Sequence, residues 1–406
     1  MSQSKSSEGA VGRAPVLPDV IQEHLEELAF LSVQRRKLLF ASDVSLRDFK
    51  PHDERIIAHW DGLVVGWPAS VEMAKVRLEE FDPWDIYAAA RVWIELGDPN
   101  GDELVGRLEE ADEEARGAWR EALRRVPRDR LQQLLPSGPT ADDPPAALST
   151  LVFAWGWHGI LDPELAATLA FSTDAAVRRS IARELGWNEG HTRLLQSLLT
   201  DPEVEVRRAA AWSEALLDPK GAVSRCRRTI ESDEADSFSV RILGLLGDLP
   251  DIDLLLRTSQ RPDEIGLAAI RAMGDLGNVT AMDALIGIRE EEDEERAEAA
   301  GEACTVLLGS VPEPESEPEQ PEAETPEPST SGLRDFWSES SQDYSGTQRW
   351  LRGQPFPWRG PSEEEPMEAL WRSSLIAPRP ELNWLKIEVP DGFFMDGPEF
   401  EAVPGE

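Results

Sequence analysis

Cysteine is nearly absent. Cys226 and Cys304 are the only two among 406 residues, and a separation of 78 positions offers neither a disulfide framework nor the paired spacing of structural zinc. No run of eighteen or more apolar residues occurs, so no segment reads as a membrane span, and the stretch MSQSKSSEGAVGRAPVLP lacks the apolar centre of a secretory leader. A reducing, cytoplasmic setting is the expectation. Basic side chains are also scarce: 41 lysines and arginines stand against 78 aspartates and glutamates, a formal charge of -37. Binding to a phosphate backbone depends on basic groups that displace counterions, so nucleic acid is not an expected partner. Proteins with basic surfaces are the electrostatic match. G-x-S-x-G, G-x-x-x-x-G-K-[ST] and G-x-G-x-x-G are all missing. With 78 acids, carboxylate pairs at glycosidase-like spacing arise by chance and carry no information. The expectation is a non-enzyme without cofactor.

What the chain has is repetition. STDAAVRRSIARELG (172–186) and TDPEVEVRRAAAWSEALL (200–217) align Val177 with Val206, and extending the frame gives anchors at Ile86, Ala115, Ala147, Val177, Val206, Val240, Ile265 and Glu295. The period is close to thirty residues, which marks stacked helical repeats. Asp82-Pro83, Asp162-Pro163 and Asp201-Pro202 each read as a capping aspartate followed by a proline at the first helical position. Val206, Ala209, Ala210, Ser213 and Leu217 share one face of a helix, as do Ile265, Ala268, Ala269, Ala272 and Leu276. Small side chains there let neighbouring helices approach closely.

An arginine follows the anchor in five units, at Arg116, Arg178, Arg207, Arg241 and Arg296. Four have an acid four residues earlier, at Asp112, Asp174, Glu203 and Glu292, the favourable orientation for a helical pair of about 0.2–0.5 kcal/mol. The row reads as a ladder that holds repeats in register; the functional alternative is a carboxylate-binding groove. The D-x-x-V-R-x-A-A pattern is similar to HEAT-type repeats.

The predicted organisation is an unstructured tail (1–16), an N-terminal helical block (17–82), HEAT-like repeats (83–309), an acidic linker (310–332) and an aromatic extension (333–406). Residues 311–331 hold seven glutamates and six prolines and cannot bury enough surface to fold. The extension is expected to be partly disordered. It still carries Trp337, Trp350, Phe356, Trp358, Trp384, Phe393 and Phe394, residue types that anchor interfaces. Two outcomes stay open for it: docking on the chain's own repeats, or on a partner.

HDERIIAHWDGL (52–63) crowds two histidines among carboxylates. A helix from about Asp53 to Leu63 turns His59 away from Glu54 and Asp61, and the spacing misses H-E-x-x-H. The expected roles are therefore structural, with Asp53 as cap and Arg55 beside His59. A preceding helix over 18–39 places Ile21, Leu25, Leu28 and Leu31 inward and His24 at the edge of that face. If the two helices run antiparallel, His24 and His59 can meet, and with Glu23 or Glu27 they become the one candidate for metal binding or pH sensing.

EHLEELAFL (23–31), Arg35-Arg36, SLRDF (45–49) and DERIIAHWDGL (53–63) resemble the N-terminal signature of a proteobacterial family of HEAT-like helical-repeat proteins expanded in myxobacteria. The likeness is close over 19–80 and extends through the repeats to about 309, with DYSGTQRWLRGQPF (343–356) similar to a further family segment. Members are often encoded among type VI secretion genes, near spike, adaptor and effector proteins. The resemblance implies an accessory or loading factor and supplies no catalytic residues. The overall expectation is an all-α, HEAT-like α-solenoid acting as a protein-binding scaffold or adaptor. The alternatives are an immunity-type inhibitor of a basic toxin and a repeat-fold enzyme such as a lyase.

Overall fold

Aspartate side chains cap eight of the helices among the described residues. Asp82 accepts from the amides of Trp84 and Asp85 at 2.9 and 3.2 Å, and Asp162 from Glu164 at 3.3 Å, each with the following proline in the first turn. Asp112, Asp174, Asp218, Asp236, Asp263 and Asp293 do the same without that proline or with it. Each such cap satisfies amides that the helix itself leaves unbonded, an effect of about 1 kcal/mol.

The computed structural model describes residues 17–40, 46–79, 82–187, 192–309, 330–351 and 353–356. Among them are nineteen α-helices and a single two-stranded hairpin, so the fold is all-α. Contacts divide it into two units. The first, residues 17–38 and 47–139, carries α1 (Pro18–Phe40), α2 (Leu46–Val65), α3 (Ala69–Arg77), α4 (Pro83–Leu96), α5 (Gly101–Glu110), α6 (Glu113–Arg125) and α7 (Arg128–Leu134). The division groups α4 to α7, read above as repeats, with the N-terminal block. The expected tail 1–16 and most of the expected linker lie outside the described residues.

The second unit, from Thr140 onward, contains α8 (Pro145–Trp157), α9 (Pro163–Leu169), α10 (Ala175–Glu184), α11 (Thr192–Leu198), α12 (Val204–Leu217) and α13 (Pro219–Ile230). It continues through α14 (Ser237–Leu246), α15 (Ile252–Thr258), α16 (Glu264–Leu276), α17 (Met282–Arg289) and α18 (Glu294–Leu308). It ends with α19 (Thr330–Ser340), β1 (Arg349–Leu351) and β2 (Gln354–Phe356). Here α8 lies on α10, α10 on α12, α14 on α16 and α16 on α18, while α9, α11, α13, α15 and α17 each lie against the helix that follows. Helices α12 and α14 touch only lightly and α13 bridges them, where the anchor spacing is widest. Neighbour-on-neighbour contact of this kind is the architecture of an α-solenoid.

Small residues set the spacing of the stack. Val206, Ala209, Ala210 and Ser213 of α12 and Ala268, Ala269, Ala272 and Leu276 of α16 are buried, as their shared face predicts. A Cβ placed on Gly244 of α14 would stand 2.7 Å from the Ala272 Cα, and one on Gly274 of α16 would stand 2.6 Å from the Ala303 Cα. Contacts that short leave no room for any side chain.

One cap differs from expectation. Helix α12 starts at Val204 with Glu203 as cap, so Pro202 lies outside it. Asp201 accepts the Glu203 amide at 2.9 Å, and its carboxylate is held by Arg178 of α10 at 2.7 and 2.9 Å. A bidentate ion pair between repeats competes for the carboxylate that would otherwise cap the helix at Pro202.

Because a valine at 274 has nowhere to go, Gly274→Val should destabilise the second unit by about 1–3 kcal/mol. Gly287→Ala, at a helical position with nothing within 4 Å, should be neutral or stabilising by up to about 1 kcal/mol. Thermal or urea unfolding checks both.

Candidate functional site

The first two helices meet along a polar seam. A Cβ on Gly66 would strike the Ile21 side chain, His24 faces His59, the His52 ring bonds the Leu31 carbonyl at 2.7 Å, and Arg35 holds Asp53 at 2.6 Å. As numbers rise along α1 they fall along α2, so the pair is antiparallel and the condition for the two histidines to meet is satisfied. Their Nδ1 atoms are 3.1 Å apart, with ring centroids at 5.2 Å and planes inclined by 72°. That is the length of an N–H···N hydrogen bond, in which one Nδ1 donates and the other accepts. Gly62 makes the fit possible: a Cβ there would lie 2.3 Å from the His24 Nε2.

Burial, followed by the nearby His24 ring, pushes His59 below the ordinary histidine value; Glu27 and Glu23 of α1 oppose this, and Arg55 of α2 adds to it. Arg55 lies 3.8 Å from Glu27. Asp53 is not a cap. Helix α2 begins at Leu46 and runs through Pro51, which leaves Asp53 inside the helix and free to take Arg35 across the seam. His52, to which no role was assigned from sequence, is buried and joins the helices through a backbone carbonyl.

A second concentration of charge lies between α4 and α6. Arg91 bonds Glu95 at 2.8 Å and stands over the Trp60 ring at 4.2 Å. Burial pushes the Arg125 guanidinium down to about 10, and Arg124, Arg35 and Arg91 add repulsion. Arg124 in turn lies 3.3 Å from Glu121, both side chains being buried.

The arginine row makes contacts other than the expected pairs. Asp112 and Asp174 spend their carboxylates on capping amides. Arg116 pairs with Glu113 at 2.8 Å and bonds the Ala111 carbonyl at 2.5 Å. Arg178 holds Asp201 and the Ser172 and Thr173 carbonyls, and Arg207 bonds the Asp201 and Pro202 carbonyls. Arg296 pairs with Glu291 at 2.8 Å and reaches the Ser259 carbonyl. Arg241 sits partly buried near Asp275, Arg271 and Glu302, its guanidinium pushed down by burial. The geometry places four of the five on loop carbonyls, which stitch the connections between helices together.

Two of the aromatic candidates lie on the chain's own repeats. Trp350 is 8% exposed within the core of the second unit, its amide bonded to the Gly277 carbonyl at 2.8 Å and its indole N–H to the Ser345 carbonyl. Tyr344 stacks on it at 4.6 Å and Trp337 on Tyr344 at 5.4 Å. Arg349, which sequence reasoning missed, is fully buried; it donates to the Leu245 carbonyl at 3.0 Å and to the Gly247 carbonyl, and so closes the end of α14. Gly353, at φ +72°, turns β1 into β2 while its amide bonds the Leu307 carbonyl at 2.8 Å. On α19, Arg334 holds Glu290 at 2.6 and 2.9 Å. Phe356 ends β2, and Trp358, Trp384, Phe393 and Phe394 lie outside the described residues. Burial pushes the Cys226 and Cys304 thiols up to about 12, which makes both poor nucleophiles.

No protein-family model matches the chain, and no curated protein matches it. Among solved structures it is similar to the X-ray structure of the Escherichia coli protein YibA, at 19% identity over 58% of this chain and 91% of that one, with a TM-score of 0.37.

With its folded pKa depressed, His59 resists a proton that the unfolded chain takes up near its ordinary value of 6.5. Stability should therefore be constant above that pH and decline as pH falls from about 6.5 toward the folded pKa. Melting curves between pH 8 and 5 should show this decline in the native protein and less of it in His59→Gln. Separately, Arg349→Met leaves two buried carbonyls without their donor and should lower stability by about 2–5 kcal/mol, read as a fall in Tm.

Proposed function

We propose that this protein is a non-enzymatic scaffold or adaptor that binds proteins with basic surfaces. The observation that carries the reading is the repeat-on-repeat helix packing of the second unit, joined to a chain charge of -37. Extended repeat stacks bind through their surfaces. Acidic groups stand exposed at their edge, as in Glu291, Glu292, Asp293, Glu294 and Glu295 where α17 gives way to α18. Surface charge of this kind steers encounter and selects partners of opposite sign more than it adds affinity. Among the described residues no helix is long and apolar enough to cross a membrane.

The signature in α1 and α2 supports a finer reading, an accessory or loading factor of a type VI secretion system working in the cytoplasm. The HEAT-like character of the repeats belongs to the same reading. In this account the stack holds a basic component of the apparatus or its cargo.

Affinity purification of the full chain from its native host, with mass spectrometry, tests this. The expected result is a basic protein captured at low salt and released as salt rises toward 1 M, where the screening length falls to about 3 Å. The triple variant Glu292→Lys, Glu294→Lys, Glu295→Lys should capture less of it while staying folded, with Tm lowered by only a few degrees because two of the positions lie in the first turn of α18. Recovery of nucleic acid alone, or turnover of a small compound, would contradict the proposal. A single basic toxin neutralised by the chain would mark an inhibitor instead of an adaptor.

A further inference from the structure

The histidine pair has the dimensions of a metal clamp. Two imidazole nitrogens bound to one ion at the usual length of about 2.0–2.1 Å stand ~2.9 Å apart at a right-angle bite and ~3.3 Å apart at a tetrahedral one. The His24 and His59 Nδ1 atoms are 3.1 Å apart, between those limits. The orientation is fixed from behind: the Nε2 edge of His24 rests against Gly62, where a Cβ would come within 2.3 Å, and so Nδ1 is the nitrogen turned toward His59. Both rings are partly exposed, which leaves a path for an ion and its water. Glu23 and Glu27 on α1 place negative charge near the pair, and Arg55 on α2 opposes it in part.

We infer that His24 and His59 bind one divalent transition-metal ion between their Nδ1 atoms, and that the ion clamps α1 to α2. Each ring gives one lone pair. The ring that donates through Nδ1 in the metal-free pair carries its proton on Nε2 instead, an exchange through solvent that leaves both rings neutral. No third histidine, cysteine, aspartate or glutamate converges on the pair among the described residues, so water fills the remaining positions. A site of two imidazoles and water selects nickel, copper or zinc and ignores magnesium and calcium, which need oxygen ligands. The sequence named the two histidines, 35 positions apart, as a candidate on condition that their helices run antiparallel. Only the antiparallel register and the glycine notch bring them to one ion.

The test uses the untagged full chain, stripped with chelator and titrated with nickel or zinc chloride by calorimetry and thermal melting. One equivalent should bind, and metal at a hundredfold its Kd should raise Tm by about 5 °C. Magnesium should do nothing. His59→Gln should weaken binding by about tenfold or more, whereas His158→Gln should leave it unchanged. If His59→Gln does not fold, the native protein still decides: bound zinc should shield His24 and His59 from diethylpyrocarbonate, mapped by mass spectrometry. No uptake by the native protein, undiminished binding by His59→Gln, or no shielding would each overturn the assignment.

Discussion

Close approach of helix backbones governs the second unit. At Gly244 and Gly274 a neighbouring helix passes within 2.7 and 2.6 Å of where a side chain would begin, so the faces that carry alanine, serine and glycine have no tolerance for size. With no side chain at those points the two backbones meet at van der Waals distance, and a row of such contacts compensates for side chains too small to bury much apolar area individually. The thirty-residue period follows, since each copy must return the same small face to the same neighbour. The ends of the helices follow too. Helices drawn this near leave connecting loops crowded, and Arg178, Arg207 and Arg296 fill that space with donors for carbonyls that have no helical partner.

The C-terminal segment is part of this arrangement. A stack of repeats exposes an apolar face at its last member, and residues from Leu333 to Gly353 lie over α14, α16 and α18. Arg349 reaches back more than a hundred positions to the carbonyls that end α14, and Trp350 covers Gly277 at the end of α16. Gly277, at φ +69°, holds a left-handed conformation and also has the Trp350 carbonyl 2.7 Å from its missing Cβ. A single glycine thereby serves both the helix end and the strand laid across it.

Periodicity made the repeats legible: the apolar faces of α12 and α16 and the caps at Asp82 and Asp162 are local patterns that a helix reports through its own geometry. Where a distant partner competed with a local pattern for one group, sequence misled. Asp201 looks like a cap but is taken by Arg178, and Asp53 looks like a helix start but lies inside α2. Two of the expected pairs four residues apart on the row, those of Asp112 and Asp174, give way because capping amides hold these carboxylates first. Arg349 left no local trace at all, its partners being set by the fold alone. The histidine pair stood between these cases: the residues were visible, and their meeting depended on a register that only the antiparallel helices supply.

Hydrogen exchange followed residue by residue tests most directly whether the stack and its C-terminal segment form one cooperative body. The amides of Trp350 and Gly353, bonded to Gly277 and Leu307, should be protected to the same free energy as the centres of α16 and α18 and should open with them as denaturant is raised. Exchange of those two amides at the rate of an unfolded chain, while α16 and α18 stay protected, would contradict the account.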